Sequence, residues 1–67
     1  MKYLKFTKSN SEGYVNILRS SIMAVNDDPS SPPEEDWAVI HTYSYFYNVK
    51  ESRLKVMEMI ANPNKEE

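Results

Sequence analysis

His41, the only histidine, stands beside Thr42 and three residues from Ser44, which puts hydroxyl nucleophile candidates next to a base. A Ser–His–acid arrangement needs a pocket that holds three groups in fixed geometry. A chain of 67 residues rarely encloses one. His41 is therefore read as a structural or interface histidine. At an interface it would make assembly respond to pH between about 6 and 7. The absence of cysteine excludes disulfides, thiolate metal sites and cysteine nucleophiles. One histidine cannot by itself form a multi-histidine metal site. Five carboxylates gather at Asp27, Asp28, Glu34, Glu35 and Asp36. Calcium loops need oxygens at regular offsets and a glycine for the sharp turn, and this stretch has Pro29, Pro32 and Pro33 instead. Helix capping and solvation is the better reading of these acids. Gly13 is the only glycine, so there is no glycine-rich phosphate loop. No enzyme activity, metal or cofactor is expected.

The feature with chemical content is aromatic. Trp37, Tyr43, Tyr45, Phe46 and Tyr47 fall within residues 37–47. Tyrosine and tryptophan dominate interface hot spots because they combine large contact area with a polar handle. The same rings stack on nucleobases when cations such as Lys50, Arg53 or Lys55 stand near to neutralise phosphate. The expected binding residues are Trp37, His41, Tyr43, Tyr45, Tyr47, Lys50 and Arg53. They serve a protein partner or a small nucleotide.

Charge is uneven along the chain. Residues 1–25 carry Lys2, Lys5, Lys8 and Arg19 against Glu12, while residues 26–36 hold five acids and no base. A basic end and an acidic middle attract each other between subunits. The net charge of −2 argues against duplex nucleic acid, whose binding rests on neutralising many phosphates. No run reaches the roughly 18 apolar residues of a membrane helix. The residues after Met1 do not read as a signal peptide. The expectation is a cytoplasmic protein that does not enter membranes. One small domain spanning residues 1–67 has little core of its own, and with disulfides and metals excluded, homo-oligomerisation is the stabiliser left to it.

The positioning elements are read as mainly α. Leu4 and Phe6 alternate with Lys5 and Thr7, which predicts a short N-terminal strand over residues 3–7. Ser9 followed by Glu12 has the spacing of a capping box. Tyr14, Leu18, Ile22 and Val25 then recur at helical spacing, predicting a helix over about 9–26. Prolines and acids at 32–36 suit a second helix start, and no Gly or Pro interrupts residues 34–62. The expected architecture is a helical hairpin, helices 9–26 and 32–61, with Leu54 and Met57 facing inward. The lone strand would pair with another subunit. The alternative is α+β, a β-α-β-α chain with strands 3–7 and 37–47. It follows from the β-branched and aromatic content of 37–49. Either way residues 51–61 are helical, and 64–67 form a frayed tail.

In outline the second half resembles the short helical phage-encoded proteins that sequester cyclic-nucleotide signals of bacterial immunity. The likeness rests on chain length, the expected hairpin and the ending Met57-Glu58-Met59-Ile60-Ala61-Asn62-Pro63. It implies a nucleotide sponge with its site between subunits. The residues themselves point first to a non-catalytic accessory or inhibitor protein, of phage or mobile-element type, acting as a homo-oligomer through protein contacts.

Overall fold

The alternation of Leu4 and Phe6 with Tyr3, Lys5 and Thr7 recurs after Gly13, where Val15 and Ile17 alternate with Tyr14, Asn16 and Leu18. These runs form strands β1 (Tyr3–Thr7) and β2 (Tyr14–Leu18), paired antiparallel with Phe6 opposite Val15 and Leu4 opposite Ile17. The computed structural model describes residues 2–62, so the tail expected at 64–67 lies outside the described residues. Gly13 turns the connecting loop with φ of +100°, a region open mainly to glycine. A short 3-10 turn, Arg19–Ser21, then bends the ribbon into β3 (Ile22–Asp27). The Ser21 hydroxyl holds that bend by donating to the Leu18 carbonyl at 2.7 Å.

Strand β3 pairs antiparallel with β4 (Ala38–Thr42), with a bulge between Ile22 and Ala24, and β4 pairs with β5 (Phe46–Val49). The two sheets are joined by a narrow seam. Ser9 donates its N–H to the Asn48 carbonyl at 3.1 Å, and Lys50 donates to the Thr7 carbonyl at 2.8 Å. Because β2 runs through the bend into β3, the path β1–β2, β3–β4–β5 and back to β1 makes a partly closed barrel. Its interior holds Leu4, Phe6, Ile17, Ala38, Ile40 and Val49.

Helix α1 (Arg53–Ala61) adds Val56 and Met59 to this core. Ser52 caps it, its hydroxyl accepting the Lys55 N–H at 3.1 Å. The helix lies antiparallel to β3 and is tied at both ends. Arg53 Nε is 3.3 Å from Asp27 Oδ1, and Arg19 Nε donates to the Ile60 carbonyl at 2.7 Å.

These elements overturn the helical hairpin and the mainly α class: the chain is mostly β, with five strands and one α-helix among the described residues. Where a helix was expected over 9–26 there is a loop, β2, the 3-10 turn and β3. Tyr14, Leu18 and Ile22 fit a helical stripe, but Val15 and Ile17 fit a strand equally well, and pairing with Leu4 and Phe6 selects the strand. The helix expected over 32–61 survives only as Arg53–Ala61. Its supposed start at 31–36 is a turn, closed by the Glu35 N–H on the Pro32 carbonyl at 3.0 Å. The β-α-β-α alternative anticipated strand β1, but its first helix is absent and its strand 37–47 is a hairpin, β4 and β5. Threonine makes that hairpin turn without Gly or Pro. Thr42 Oγ1 donates to the Tyr45 carbonyl at 2.8 Å and accepts the Tyr45 N–H at 3.2 Å. The β1 strand needs no second subunit, since β2 is its partner.

The helix also turns a different face inward than expected: Val56 is fully buried, while Leu54 is 75% exposed. Truncating Val56 to Ala removes two buried methyl groups and leaves a cavity, at a cost of about 2 kcal/mol. Leu54→Ala should cost less than about 0.5 kcal/mol. Urea unfolding of the two variants checks this, and the opposite ranking would restore the Leu54 face to the core.

Candidate functional site: an aromatic groove along strand β5

The β4–β5 turn concentrates the exposed rings. Tyr45 stacks on Phe46, with centroids 5.6 Å apart and planes 15° from parallel, and meets Tyr47 edge-on at 5.0 Å. Such pairs are each worth about 1 kcal/mol beyond burial, so the cluster is partly ordered before anything binds. Tyr47 is half-buried against the core, whereas Phe46 is 53% exposed. Tyr45, Phe46 and Tyr47 line one side of an open cleft of about 540 Å³. Lys8, Asn10, Ser11 and Val15, from the β1 end, its loop and β2, line the rest with Asn48.

The cleft exists because the seam is short. The Asn48 carbonyl and the Lys50 N–H both point toward β1, where they are bonded. Main-chain groups two residues apart on a strand point the same way. The N–H and carbonyl of Phe46 therefore face the side on which β1 lies, but past Ser9 the loop has turned away. A stretch of strand edge is left open there, bordered by aromatic rings.

Asp28 fixes the far end of the cleft. Its Oδ1 accepts from the Ser30 hydroxyl at 2.7 Å and the Ser30 N–H at 2.9 Å, and its Oδ2 accepts from Asn48 Nδ2 at 3.1 Å. The Ser30 hydroxyl, followed by the Ser30 N–H, holds the buried carboxyl below the usual range. Desolvation opposes the shift, and the Asn48 amide adds to it.

The expected binding residues divide between two ends of the molecule. Tyr45 and Tyr47 are in the cleft, and His41 lies across from Phe46 on the neighbouring strand with ring centroids 6.2 Å apart. Tyr43 caps the turn, 78% exposed. Trp37 sits at the opposite end of β4, its carbonyl accepting the Asp28 N–H at 3.0 Å and its N–H donating to Ser31 Oγ at 3.1 Å. Its indole N–H is buried with no acceptor among the described residues. Lys50 follows β5 at the seam, and Arg53 pairs with Asp27 beside the helix start. Arg53 is not among the cleft-lining residues, and neither is Lys50.

Lys8, Asn10, Ser11, Val15, Phe46 and Asn48 belong to the cleft but were not among the expected residues. A signal for the first three was present. Two alternating runs separated by Ser9-Asn10-Ser11-Glu12-Gly13 have the pattern of a hairpin with a glycine-containing loop. No three His, Asp or Glu side chains cluster at metal-binding range among the described residues. No helix among them is long and apolar enough to cross a membrane. No protein family, curated protein or solved structure matches this chain.

Because the folded pKa of Asp28 is lowered, its ionised form stabilises the fold fully above the ordinary carboxylate pKa, about 4. That contribution is lost as pH falls below about 4 through the lowered folded value. Asp28→Asn should be about 1 kcal/mol less stable than the parent at pH 7, with the gap narrowing as pH falls from 7 to below about 4. Urea unfolding across that range measures it, and a gap independent of pH would contradict the assignment.

Proposed function

We propose that the chain is a non-catalytic binding module that takes a segment of a protein partner into the cleft along β5, acting as an accessory or inhibitor. The observation that carries this is the open strand edge at Phe46 set beside the Tyr45, Phe46 and Tyr47 rings. Extended segments bind such edges through main-chain hydrogen bonds, and neighbouring side-chain pockets give specificity. Aromatic rings supply area at low entropic cost. A volume near 540 Å³ lies within the usual range for binding sites.

A nucleotide ligand is the less favoured reading. It called for Lys50 and Arg53 beside the rings, and the cleft has Lys8 as its one charged lining residue among the described residues. A single ammonium suits a carboxylate side chain better than a polyphosphate. The helical outline that suggested a nucleotide sponge is also absent.

A photo-crosslinking phenylalanine analogue at position 46 tests the reading directly, because that side chain is exposed. The expected product in cells is a crosslink to protein, lost when Tyr45→Ala and Tyr47→Ala are added. Crosslinking only to a nucleotide, or no crosslink from position 46, would overturn it.

A further inference from the structure

The molecule carries a segment whose chemistry complements this cleft. Residues 32–36 read Pro-Pro-Glu-Glu-Asp, and Pro33, Glu34, Glu35 and Asp36 are all exposed. The turn is held in shape by the Glu35 N–H on the Pro32 carbonyl and, at its base, by Trp37 N–H on Ser31 Oγ and the Asp28 contacts to Ser30 and Asn48. A turn already ordered in this way loses little entropy when it docks. Within one chain it does not fill the cleft, since none of residues 32–36 lines it.

We infer that the cleft of one copy receives the Pro-Pro-Glu-Glu-Asp turn of a second copy, so that the protein forms a reciprocal dimer. The inference rests on the binding role proposed for the cleft and names its partner. Two complementarities support it. Proline rings dock on aromatic-lined grooves, and the walls here are Tyr45, Phe46 and Tyr47. Among the described residues the only charged one lining the cleft is Lys8, and the turn brings Glu34, Glu35 and Asp36.

The layout supports reciprocity as well. The base of the turn adjoins the cleft through the 3.1 Å contact between Asp28 and Asn48. A donor patch and an acceptor patch side by side on one chain can be exchanged by a single two-fold axis. That makes a closed, isologous dimer in which both turns and both clefts are used.

The test is a charge swap read by sedimentation equilibrium and native mass spectrometry. The full chain should dimerise in a concentration-dependent manner, more weakly as salt rises. Lys8→Glu alone, and Glu34→Lys with Glu35→Lys, should each weaken the homodimer at least tenfold while circular dichroism stays that of the parent. All three positions line the cleft rim or the exposed turn and none is in the core, so the variants fold. Mixing the two variants should then give a heterodimer, because each cleft again meets an opposite charge. A monomer at millimolar concentration, homodimers unaffected by either swap, or no heterodimer on mixing would each overturn the inference. The outcome is separable from the broader binding role: a monomer whose position 46 still crosslinks a foreign protein keeps that role and removes the self-docking turn.

Discussion

The backbone N–H of Thr7 faces away from its partner strand, and the group that receives it is a side chain. Both carboxylate oxygens of Glu51 lie within reach, at 3.0 and 3.1 Å, and the Thr7 hydroxyl donates to the same carboxylate at 3.0 Å. Hydrogen bonds to a charged acceptor are worth about 1.5–3 kcal/mol, against a total of roughly 3–10 kcal/mol for a chain of this size. One glutamate therefore extends a seam that otherwise has two main-chain bonds, Lys50 to Thr7 and Ser9 to Asn48. The interior of the barrel depends on this closure. Phe6 on β1 and Val49 on β5 are both fully buried, and they stay so only while the two strand ends remain together.

The same seam sets what lies on either side of it. Glu51 is followed at once by Ser52, the helix cap, so the closing group also fixes where α1 begins. From there the helix must run back along β3, where Asp27 and Arg19 hold its two ends. On the other side, the seam ends at Ser9, and the chain needs Gly13 to turn back into β2. The gap between that loop and β5 is the aromatic cleft. A longer seam would satisfy the Phe46 main chain and abolish the cleft. The open edge and the cleft are one feature, and the fold keeps it at the cost of backbone groups left without a strand partner.

Parts of this were legible from residue order. The alternation of Leu4 and Phe6 announced β1, because only a strand buries every second residue. A helix ending at Ala61 was visible under any reading, although its start at Arg53 and its buried face were not. Val56 and Met59 and the expected set Leu54, Met57 and Ile60 or Ala61 are both spaced as helical stripes, and only the position of the sheet chooses the first, with Ile60 packed at its side. The hairpin at 38–49 was hidden because its turn uses the Thr42 hydroxyl rather than glycine or proline. Residues 14–25 misled for a related reason: their apolar positions satisfy periods of 3.6 and 2, with a 3-10 bend joining two short strands. Of the aromatic residues that line the cleft, Tyr45 and Tyr47 could be singled out from the sequence. Their companions Lys8, Asn10 and Ser11 are more than thirty residues away in sequence and reach them only through the seam.

That makes the seam the point at which the account is most directly testable. In an antiparallel pair of this type the opposed residues are not hydrogen-bonded to each other, and their Cα atoms approach to about 4.5 Å. Lys8 and Val49 are such a pair. A two-dimensional NMR experiment in deuterated water should therefore show a strong Hα–Hα cross-peak between Lys8 and Val49, with strand chemical shifts over 14–18. A missing cross-peak combined with helical shifts over 9–26 would contradict the barrel and everything built on it.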